Sequence, residues 1–277
     1  MSTSLPRMIR DEERRWKPAD CLEGKLAIVT GAAQGLGFAF ARALAGAGAR
    51  TALVDVRESV ADAANAIASA GAETRAFVAD VSRASDVRRV VDAVHAEMGP
   101  CCALVNNAGR FAITKPDDAW EKAVADFDSI AGVNLRGSFL FGRAVIPAML
   151  AQREGQIVNI STDHVLPPPG RETGGGPAMD VYDASKWALN GLTQAWARAL
   201  AKKGVRVNAL CMGATDTEML RGFYGGSPPP QELATWLQPA QIAQTLLDLL
   251  REGPGGRTGQ NIGLWVGHPL EMPQWRS

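Results

Sequence analysis

The chain has 277 residues, 46% of them hydrophobic, which suits one large globular domain with short extensions. Its 29 basic residues (Lys and Arg) balance 29 acidic ones, so the formal net charge is zero. That balance argues against a general nucleic-acid or anionic-membrane binder, because both need a basic surplus. No apolar run approaches the roughly 20 residues of a membrane span. We therefore expect neither nucleic acid nor membrane as a partner.

The cysteines and the first residues bear on the compartment. The four cysteines follow no metal-binding spacing (Cys21, Cys101, Cys102 and Cys211), so we expect reduced thiols and no metal. Residues 1–25 are charged and lack the apolar core of a secretory signal. These features predict a cytoplasmic protein. Residues 1–24 are expected to form an arm that packs on the surface or on a neighbouring subunit, with disorder as the open alternative.

From residue 25 onwards, short apolar strands alternate with helical stretches. Strands are predicted over 26–30, 50–54, 74–79, 103–105, 156–160, 205–210 and 261–266. Helices are predicted over 38–47, 60–70, 86–98, 119–124, 127–152 with an interruption near Pro147, 181–203 and 239–250. This alternation predicts a doubly wound α/β fold, in which a parallel sheet is covered by helices on both faces.

A glycine-rich turn, TGAAQGLG at residues 30–37, directly follows the first predicted strand and opens a helix. Gly31, Gly35 and Gly37 allow a tight turn and a close approach of backbone to phosphate. Gln34 and Leu36 stand between them, where the backbone N–H groups of a helix start can bind a pyrophosphate. The strand–turn–helix context predicts a dinucleotide site.

Asp55 ends the second predicted strand. An acid at this position can accept hydrogen bonds from the adenosine ribose hydroxyls and repels a 2′-phosphate. The next residue is Val56 and the turn holds the uncharged Gln34, so NAD is favoured over NADP. Arg57 is the counterargument, because it could reach a 2′-phosphate. The alternative for Asp55 itself is a plain helix N-cap.

Polar or small residues also follow the third and fourth predicted strands. Asp80 and Val81 can read an adenine edge with a carboxylate and a backbone amide, or Asp80 can cap the helix before Ser82. Residues 106–109 read NNAG. There the side-chain amides can tie strands together, while Asn107, Ala108 and Gly109 can form a cofactor wall. Both roles stay open.

Tyr182 and Lys186 stand four positions apart at the start of a helical pattern, so they share one helix face. An unperturbed phenol has a pKa of about 10. A neighbouring ammonium favours the phenolate and lowers that pKa, which would make the tyrosine useful in acid–base chemistry. Taken alone, the pair is more simply a surface coincidence.

Taken together, the motifs resemble the classical short-chain dehydrogenase/reductase family. The matching motifs appear in the family order and end with Asn134 in VNLRGSF, NIST at 159–162, the Tyr182–Lys186 pair and VRVNAL followed by Gly213 and Thr217. The resemblance implies a Rossmann-type sheet of about seven parallel strands, a nicotinamide cofactor across the strand ends, and a homodimer or homotetramer built through the long helices.

The resemblance also implies roles for individual residues. Tyr182 is the implied general acid/base, Lys186 lowers its pKa and holds the nicotinamide ribose, and Asn134 holds a water in a proton relay. Gly213, Thr215 and Thr217 are implied cofactor contacts, with Thr217 at the carboxamide.

The serine of the family pattern does not match cleanly. Counting from Asn159, the catalytic hydroxyl position is Thr162 and not Ser161. Adjacent strand residues point to opposite faces, so only one of the two can enter the site from a regular strand. We predict Thr162. The alternative is that the strand has already ended and Ser161 supplies the hydroxyl.

Two further departures lie nearby. The chain between Thr162 and Tyr182 is longer than usual, and the extra residues fall in a proline- and glycine-rich stretch, 167–177. We predict that this stretch forms a wall or lid over the substrate, with a solvated excursion as the alternative. Met212 replaces the proline that is usual before Gly213, so the conformation of the local turn stays undecided. The replacement also predicts a flexible apolar side chain near the nicotinamide.

The candidate substrate residues are Asp163, His164, Met219 and Phe223. The first two follow Thr162, although a plain polar loop is the alternative for His164. The other two belong to an apolar segment with glycine and proline breaks, predicted as a mobile lid near 215–238. Residues 25–267 are predicted to form the catalytic domain, and 268–277 a tail.

These features predict an enzyme that transfers a hydride between NAD(H) and a secondary alcohol or ketone, with Tyr182 exchanging the proton. The apolar lid favours a small-molecule substrate that is neutral and fairly hydrophobic or cyclic. The alternative from another class is a Rossmann-type regulator that binds a dinucleotide without turnover.

Overall fold

The computed structural model describes residues 22–171, 179–253, 255–270 and 272. Within them a parallel sheet is flanked by helices. Its strands are β1 (Leu26–Thr30), β2 (Arg50–Asp55), β3 (Thr74–Val78), β4 (Cys101–Asn106), β5 (Gly155–Thr162), β6 (Val205–Met212) and β7 (Asn261–Leu264). The α-helices are α1 (Gly35–Gly46), α2 (Val60–Ala68), α3 (Ala84–Met98), α4 (Trp120–Ala131), α5 (Ser138–Gln152), α6 (Asp180–Leu200), α7 (Glu218–Gly222), α8 (Pro230–Leu233) and α9 (Pro239–Leu250).

The strands lie in the order β3-β2-β1-β4-β5-β6-β7, and every neighbouring pair is parallel. The chain therefore winds outwards in one direction from β1 to β3 and in the other from β4 to β7. The reversal between β1 and β4 leaves a crevice at the carboxyl ends of these strands, where sheets of this kind bind ligands. The predicted α/β fold of about seven parallel strands is confirmed.

Two hydrophobic layers hold the helices to the sheet. Along β1, Ala27 and Val29 face the layer shared with α1, α2 and α9, whereas Leu26 and Ile28 face the layer shared with α3, α5 and α6. This alternation follows from strand geometry, and all four side chains are buried. Burial on both faces explains why the strand reads as one continuous apolar run.

The predicted helix boundaries fail most clearly between residues 119 and 152. The helix α4 is continuous to Ala131, a π-helical turn spans Gly132–Gly137, and α5 follows directly and contains Pro147. The predicted interruption near Pro147 is therefore wrong. A proline removes one backbone hydrogen bond, but buried α5 side chains on either side of it pack in the same layer as residues of β4 and β5. The irregular turn lies earlier and contains Asn134.

The strands β5 and β6 run two residues further than predicted, to Thr162 and Met212. The Asp163 N–H donates to the Met212 carbonyl at 3.0 Å, and the Gly213 N–H donates to Leu264 at 2.9 Å. Methionine in place of proline thus leaves the ladder intact up to Gly213. The Met212 side chain is buried in the core layer of α1 and α9. No described helix is long and apolar enough to cross a membrane.

Candidate active site

The glycine-rich turn lies between β1 and α1, at the carboxyl edge of the sheet. Gly31 adopts φ +66°, and a Cβ there would stand 2.8 Å from the Ala108 Cα. A Cβ on Gly37 would collide with the Gly31 carbonyl oxygen and lie 2.6 Å from the Asn107 amide nitrogen. Only glycine fits either position, because this turn packs directly against the NNAG residues. Gln34 precedes α1 in an extended conformation and its side chain makes no capping hydrogen bond.

Asp55 holds the turn from the side of β2. Its two carboxylate oxygens accept 3.0 Å hydrogen bonds from the Ala33 and Arg57 backbone N–H groups, respectively. The helix α2 begins five residues later at Val60 with Ser59 as its N-cap, so the alternative of a plain helix N-cap for Asp55 is wrong. The carboxylate is buried and fixed beside the glycine-rich turn.

Asp80 follows β3 and already has protein partners. One carboxylate oxygen accepts hydrogen bonds from the Ser82 N–H at 2.9 Å and the Ser82 hydroxyl at 2.7 Å. Although burial acts in the opposite sense, these bonds and the charges of Arg83 and Arg110 hold the pKa of Asp80 below its usual value. These bonds close a turn before α3, whose N-cap is Arg83 without a side-chain cap, so the alternative of a helix cap for Asp80 is wrong. Val81 beside it is buried.

The NNAG residues join three strands at the edge of the crevice. Asn106 donates to the Asn159 side chain at 2.8 Å, which links β4 to β5. Asn107 donates to the Thr30 and Gly31 carbonyl oxygens at 3.0 and 3.1 Å, which links β4 to the glycine-rich turn. Ala108 and Gly109 continue along this edge, and a Cβ on Gly109 would lie 3.9 Å from the Lys186 Nζ.

Asn134 is held from three directions in the π-helical turn. Its side-chain oxygen accepts from the Arg110 N–H at 2.7 Å, and its amide donates at 3.0 Å both to the Arg110 carbonyl and to the Ser185 hydroxyl. Ser185 immediately precedes Lys186 and in turn donates to the Tyr182 carbonyl at 2.7 Å. Asn134 thus connects the NNAG loop to the tyrosine–lysine helix. The sequence did not single out Ser185, because its contact depends on that turn.

The Thr162 hydroxyl lies close enough to the Tyr182 hydroxyl to act on the pKa of Tyr182, which it lowers. Both side chains lie at the carboxyl edge of the sheet, since β5 continues through Thr162 and α6 begins at Asp180. Ser161 is also buried, but its hydroxyl has no hydrogen-bond partner among the described residues. The structure therefore brings Thr162 to the tyrosine. The assumption behind the alternative, that the strand has ended before this point, is wrong.

Lys186 is buried one helical turn after Tyr182. Its ammonium donates to the Ile160 carbonyl at 2.8 Å and lies 5.6 Å from the centre of the Tyr182 ring. Burial lowers the pKa of Lys186 to about 8. Burial also raises the pKa of Tyr182, and the charges of Asp183 and Asp163 act in the same direction, whereas the nearby Thr162 hydroxyl lowers it. The lowered tyrosine pKa expected from the sequence is thus not found in this arrangement.

The two ends of the predicted lid pair with each other. Thr215 pairs with Leu237 in a parallel bridge, and the Leu237 N–H donates to the Ala214 carbonyl at 2.8 Å. Thr215 also donates to the Gly213 carbonyl at 2.9 Å, and Thr217 is the N-cap of α7. The first lid residues lie on the glycine-rich turn, since a Cβ on Gly35 would stand 2.9 Å from the Glu218 carboxylate.

Aromatic side chains join the lid to the tyrosine. The Phe111 ring packs edge-on against Tyr182 at 4.9 Å and against Phe223 at 4.5 Å between ring centres. Met219 on α7 and Phe223 just after it stay partly exposed. Phe111 was missed in the sequence. Its position two residues after the NNAG motif, at the carboxyl end of β4, could have indicated it.

Asp163 and His164 both lie beside Thr162. Burial raises the pKa of Asp163, and one of its oxygens is 3.4 Å from the Thr162 hydroxyl. The His164 Nδ1 is 3.0 Å from the Asp183 carboxylate, and its ring stands 6.1 Å from that of Tyr182. The structure thus gathers these residues around the tyrosine hydroxyl.

Residues 172–177 of the predicted inserted wall lie outside the described residues. The chain just before the wall is anchored, because the Trp265 indole donates to the Leu166 carbonyl at 2.8 Å. Residues 1–21 of the predicted N-terminal arm, including Cys21, and most of the predicted tail also lie outside the described residues. Among the residues that are described, no group of His, Cys, Asp and Glu side chains could hold a metal ion.

Comparison with known proteins agrees with this geometry. The model of the short chain dehydrogenase family matches residues 25–224. The protein is therefore an oxidoreductase with a Rossmann-type fold, of the class that acts on alcohols or ketones. It belongs to the short-chain dehydrogenase family.

Several relatives resemble the chain over most of its length. The 2-(S)-hydroxypropyl-CoM dehydrogenase 3 of Xanthobacter autotrophicus is 32% identical over 249 residues, which cover 86% of this chain and 94% of that protein. The galactitol 2-dehydrogenase of Agrobacterium fabrum is 34% identical over 198 residues, or 71% of this chain and 73% of that protein. Among solved structures, one from Beutenbergia cavernae, described as an NAD(P)-dependent gluconate 5-dehydrogenase with NADP at low occupancy, has a TM-score of 0.76 at 28% identity. That match covers 89% of this chain and 97% of the other.

Proposed function

We propose that this protein is an NAD-dependent dehydrogenase of secondary alcohols, working in reverse as a ketone reductase. The observation that carries the proposal is the Thr162 hydroxyl close to Tyr182 at the carboxyl edge of the sheet, one helical turn from Lys186. Two neighbouring hydroxyls can both meet one substrate oxygen. A group that binds the oxygen and a group that exchanges its proton are what alcohol oxidation requires of the protein.

The residues at the sheet edge fit a dinucleotide. The glycine-rich turn has no room for a Cβ at Gly31 or Gly37, and no side chain caps the start of α1. The backbone N–H groups there can therefore bind a pyrophosphate. The proposed contacts at the phosphates and adenosine are Gly31, Gln34, Gly35, Leu36, Gly37, Asp55, Asp80 and Val81. Those proposed at the nicotinamide side are Asn107, Ala108, Gly109, Tyr182, Lys186, Gly213, Thr215 and Thr217. The cofactor would supply the acceptor or donor of the hydride.

NAD is the preferred cofactor in this proposal. Each Asp55 oxygen already accepts one backbone N–H and keeps acceptor capacity for a ribose hydroxyl. The same charge opposes a 2′-phosphate. The Beutenbergia cavernae relative was solved with NADP, so the preference rests on Asp55 of this chain and not on its relatives.

Tyr182 moves the proton in the proposed mechanism. During oxidation its phenolate oxygen takes the proton of the substrate hydroxyl, while the Thr162 hydroxyl donates to the substrate oxygen and orients it. Burial raises the pKa of Tyr182, so ionisation needs positive charge nearby. Lys186 and the ring of an oxidised nicotinamide both supply it, and they favour the phenolate. Asn134, fixed to Arg110 and Ser185, is proposed to position a water that carries the proton on to solvent.

The substrate is proposed to be neutral and fairly hydrophobic or cyclic. Phe111 and Phe223 form an apolar surface against Tyr182, and Met219 adds a flexible apolar side chain at the lid. The similar proteins are named for different substrates, so none of those names is carried over.

A second copy of the chain is the proposed protein partner, in a homodimer or homotetramer. Trp120, Val124 and Phe127 form an apolar stripe along α4 and are 77%, 42% and 58% exposed. Such a stripe is costly to leave in water and is typical of a surface that another chain covers. A cytoplasmic location stays a prediction from the sequence.

The test is a turnover assay with NAD and a panel of secondary alcohols, in which the absorbance of the reduced cofactor reports the reaction. The proposal expects reduction of NAD by at least one neutral secondary alcohol and slower turnover with NADP. Tight NAD binding without turnover on any alcohol or ketone would instead favour the non-catalytic regulator.

A further inference from the structure

The polar side of the proposed substrate site begins with the residues that follow Thr162. The His164 N–H donates to the Thr162 hydroxyl oxygen at 3.3 Å, so the chain turns back over that hydroxyl. This turn brings the imidazole edge-on to Tyr182, with 6.1 Å between the ring centres. The ring therefore lies beside the two hydroxyls that are proposed to bind the reacting oxygen.

Asp183 fixes the orientation of this imidazole. Its Oδ1 lies 3.0 Å from the His164 Nδ1. An ionised carboxylate can only accept a hydrogen bond, so Nδ1 carries the proton, and in the neutral ring Nε2 is left as an acceptor. No described residue bonds Nε2, and that nitrogen is not among the buried polar atoms that lack a partner. It can therefore meet a ligand that enters beside Tyr182.

The surroundings of the imidazole indicate which ligand group it would meet. Asp163, which accepts from the Thr162 hydroxyl at 3.4 Å, is another acceptor. Phe111 also packs against Tyr182 and offers no hydrogen bond. A substrate bound beside Tyr182 thus meets acceptors from residues 163 and 164 and an aromatic surface from Phe111.

We infer that His164, positioned by Asp183, selects substrates that carry a second hydroxyl on the carbon next to the reacting carbinol. The inference rests on the proposed function and narrows its substrate to vicinal diols and the corresponding hydroxyketones. The Nε2 lone pair accepts the hydrogen bond of the second hydroxyl, while Tyr182 and Thr162 hold the first. His164 is in this account a specificity residue, and Asp183 a positioning residue.

The experiment compares butane-2,3-diol stereoisomers with the two enantiomers of butan-2-ol, using NAD and the purified full chain. Wild type is expected to show a higher kcat/KM for one diol isomer than for either mono-ol. His164→Ala should lower that diol preference about tenfold, the loss of one neutral hydrogen bond, because kcat/KM falls far more for the diol than for the mono-ols. His164→Gln, which keeps an acceptor, should restore part of the preference, and Asp183→Asn should lower it.

The exposed His268 provides a matched control, and His268→Gln should change neither value. An equal loss on diol and mono-ol in His164→Ala would mean a structural role and would overturn the inference, as would an unchanged preference. A stronger preference for 3-aminobutan-2-ol than for the diol would also overturn it, because the carboxylates would then be selecting a cation.

The failure of the proposed function is distinguishable from the failure of this inference. If wild type turns over no alcohol, the dehydrogenase proposal falls, and binding decides the role of His164. Calorimetric titration of diol and mono-ol into the NAD-saturated protein and its His164→Ala variant should then give the same tenfold change in the ratio of Kd values. An unchanged ratio would overturn the inference without reference to turnover.

Discussion

The Thr162 hydroxyl lies close to Tyr182 and lowers its pKa, while Ser161, the neighbour of Thr162 on β5, has a buried hydroxyl without a hydrogen-bond partner among the described residues. Thr162 ends a central strand, and Tyr182 lies in the first turn of α6. The two adjacent side chains turn to opposite faces because β5 remains regular to its last residue. The structure thus favours Thr162 over Ser161 as the hydroxyl beside the tyrosine.

Removing the two hydroxyls separately should give opposite results. Thr162→Ala is expected to lower kcat/KM by about a hundredfold, because an oriented donor to the substrate oxygen is lost. Ser161→Ala should leave turnover nearly unchanged, and Thr162→Ser should retain most of it. Steady-state kinetics with one active alcohol provides the measurement. Turnover that survives Thr162→Ala but is lost in Ser161→Ala would reverse the assignment.

The buried lysine should make stability depend on pH in a defined direction. The pKa of Lys186 is about 8 in the folded protein against 10.5 for an unperturbed lysine. Between these values the unfolded chain binds more protons than the native one, so the free energy of unfolding rises with pH across that window. The stability is lost as pH falls through 8, by about 3 kcal/mol in total, since each pKa unit is worth about 1.36 kcal/mol.

Lys186→Met removes the charge that causes this dependence. The bond that the ammonium donates to the Ile160 carbonyl is also lost, which costs about 2 kcal/mol because the donor is charged. The free energy of unfolding of the variant should therefore exceed that of wild type by about 1 kcal/mol at pH 7. Denaturant unfolding at pH 7 and pH 9 measures the difference, which should shrink at the higher pH. A difference that is the same at both pH values would contradict the burial of a charged lysine.

Asp55 should control the choice of cofactor. Asp55→Asn keeps the size of the side chain but removes the charge that opposes a 2′-phosphate, so the NAD-to-NADP ratio of kcat/KM should fall at least tenfold. The control is Arg57→Gln, which should leave the NAD-to-NADP ratio unchanged if the Arg57 side chain binds no 2′-phosphate. A wild-type enzyme that prefers NADP would contradict the account of this carboxylate.

The exposed stripe on α4 should determine assembly. Phe127→Asp places a charge in the proposed subunit contact and is expected to shift the protein to a smaller species in light scattering coupled to gel filtration. Ala66→Asp adds the same charge on an exposed face of α2 and should leave the mass unchanged. A wild type that is already monomeric would rule out this contact.

The parts of the site that could be predicted from the sequence are those encoded locally. The glycine-rich turn, Asp55 at a strand end and the Tyr182–Lys186 spacing all follow from short stretches of chain, and each lies at the sheet edge as expected. The irregular turn around Asn134 could not be predicted, because the glycines at its two ends do not by themselves imply a π-helical turn and the Asn134 side chain is held by residues distant in the sequence. The same is true of the bond from Lys186 to Ile160 and of the Phe111 contacts, which exist only once α6 and the lid are in place.

The central claim is that Tyr182 exchanges the substrate proton, and Tyr182→Phe tests it most directly. The variant keeps the ring that packs against Phe111 and removes only the hydroxyl. The measurement is the single-turnover rate of NAD reduction by an active alcohol, alongside the Kd for NAD. The account predicts a rate about a thousandfold lower with a far smaller change in NAD affinity. A Tyr182→Phe enzyme that binds NAD and reduces it at the wild-type rate would contradict it.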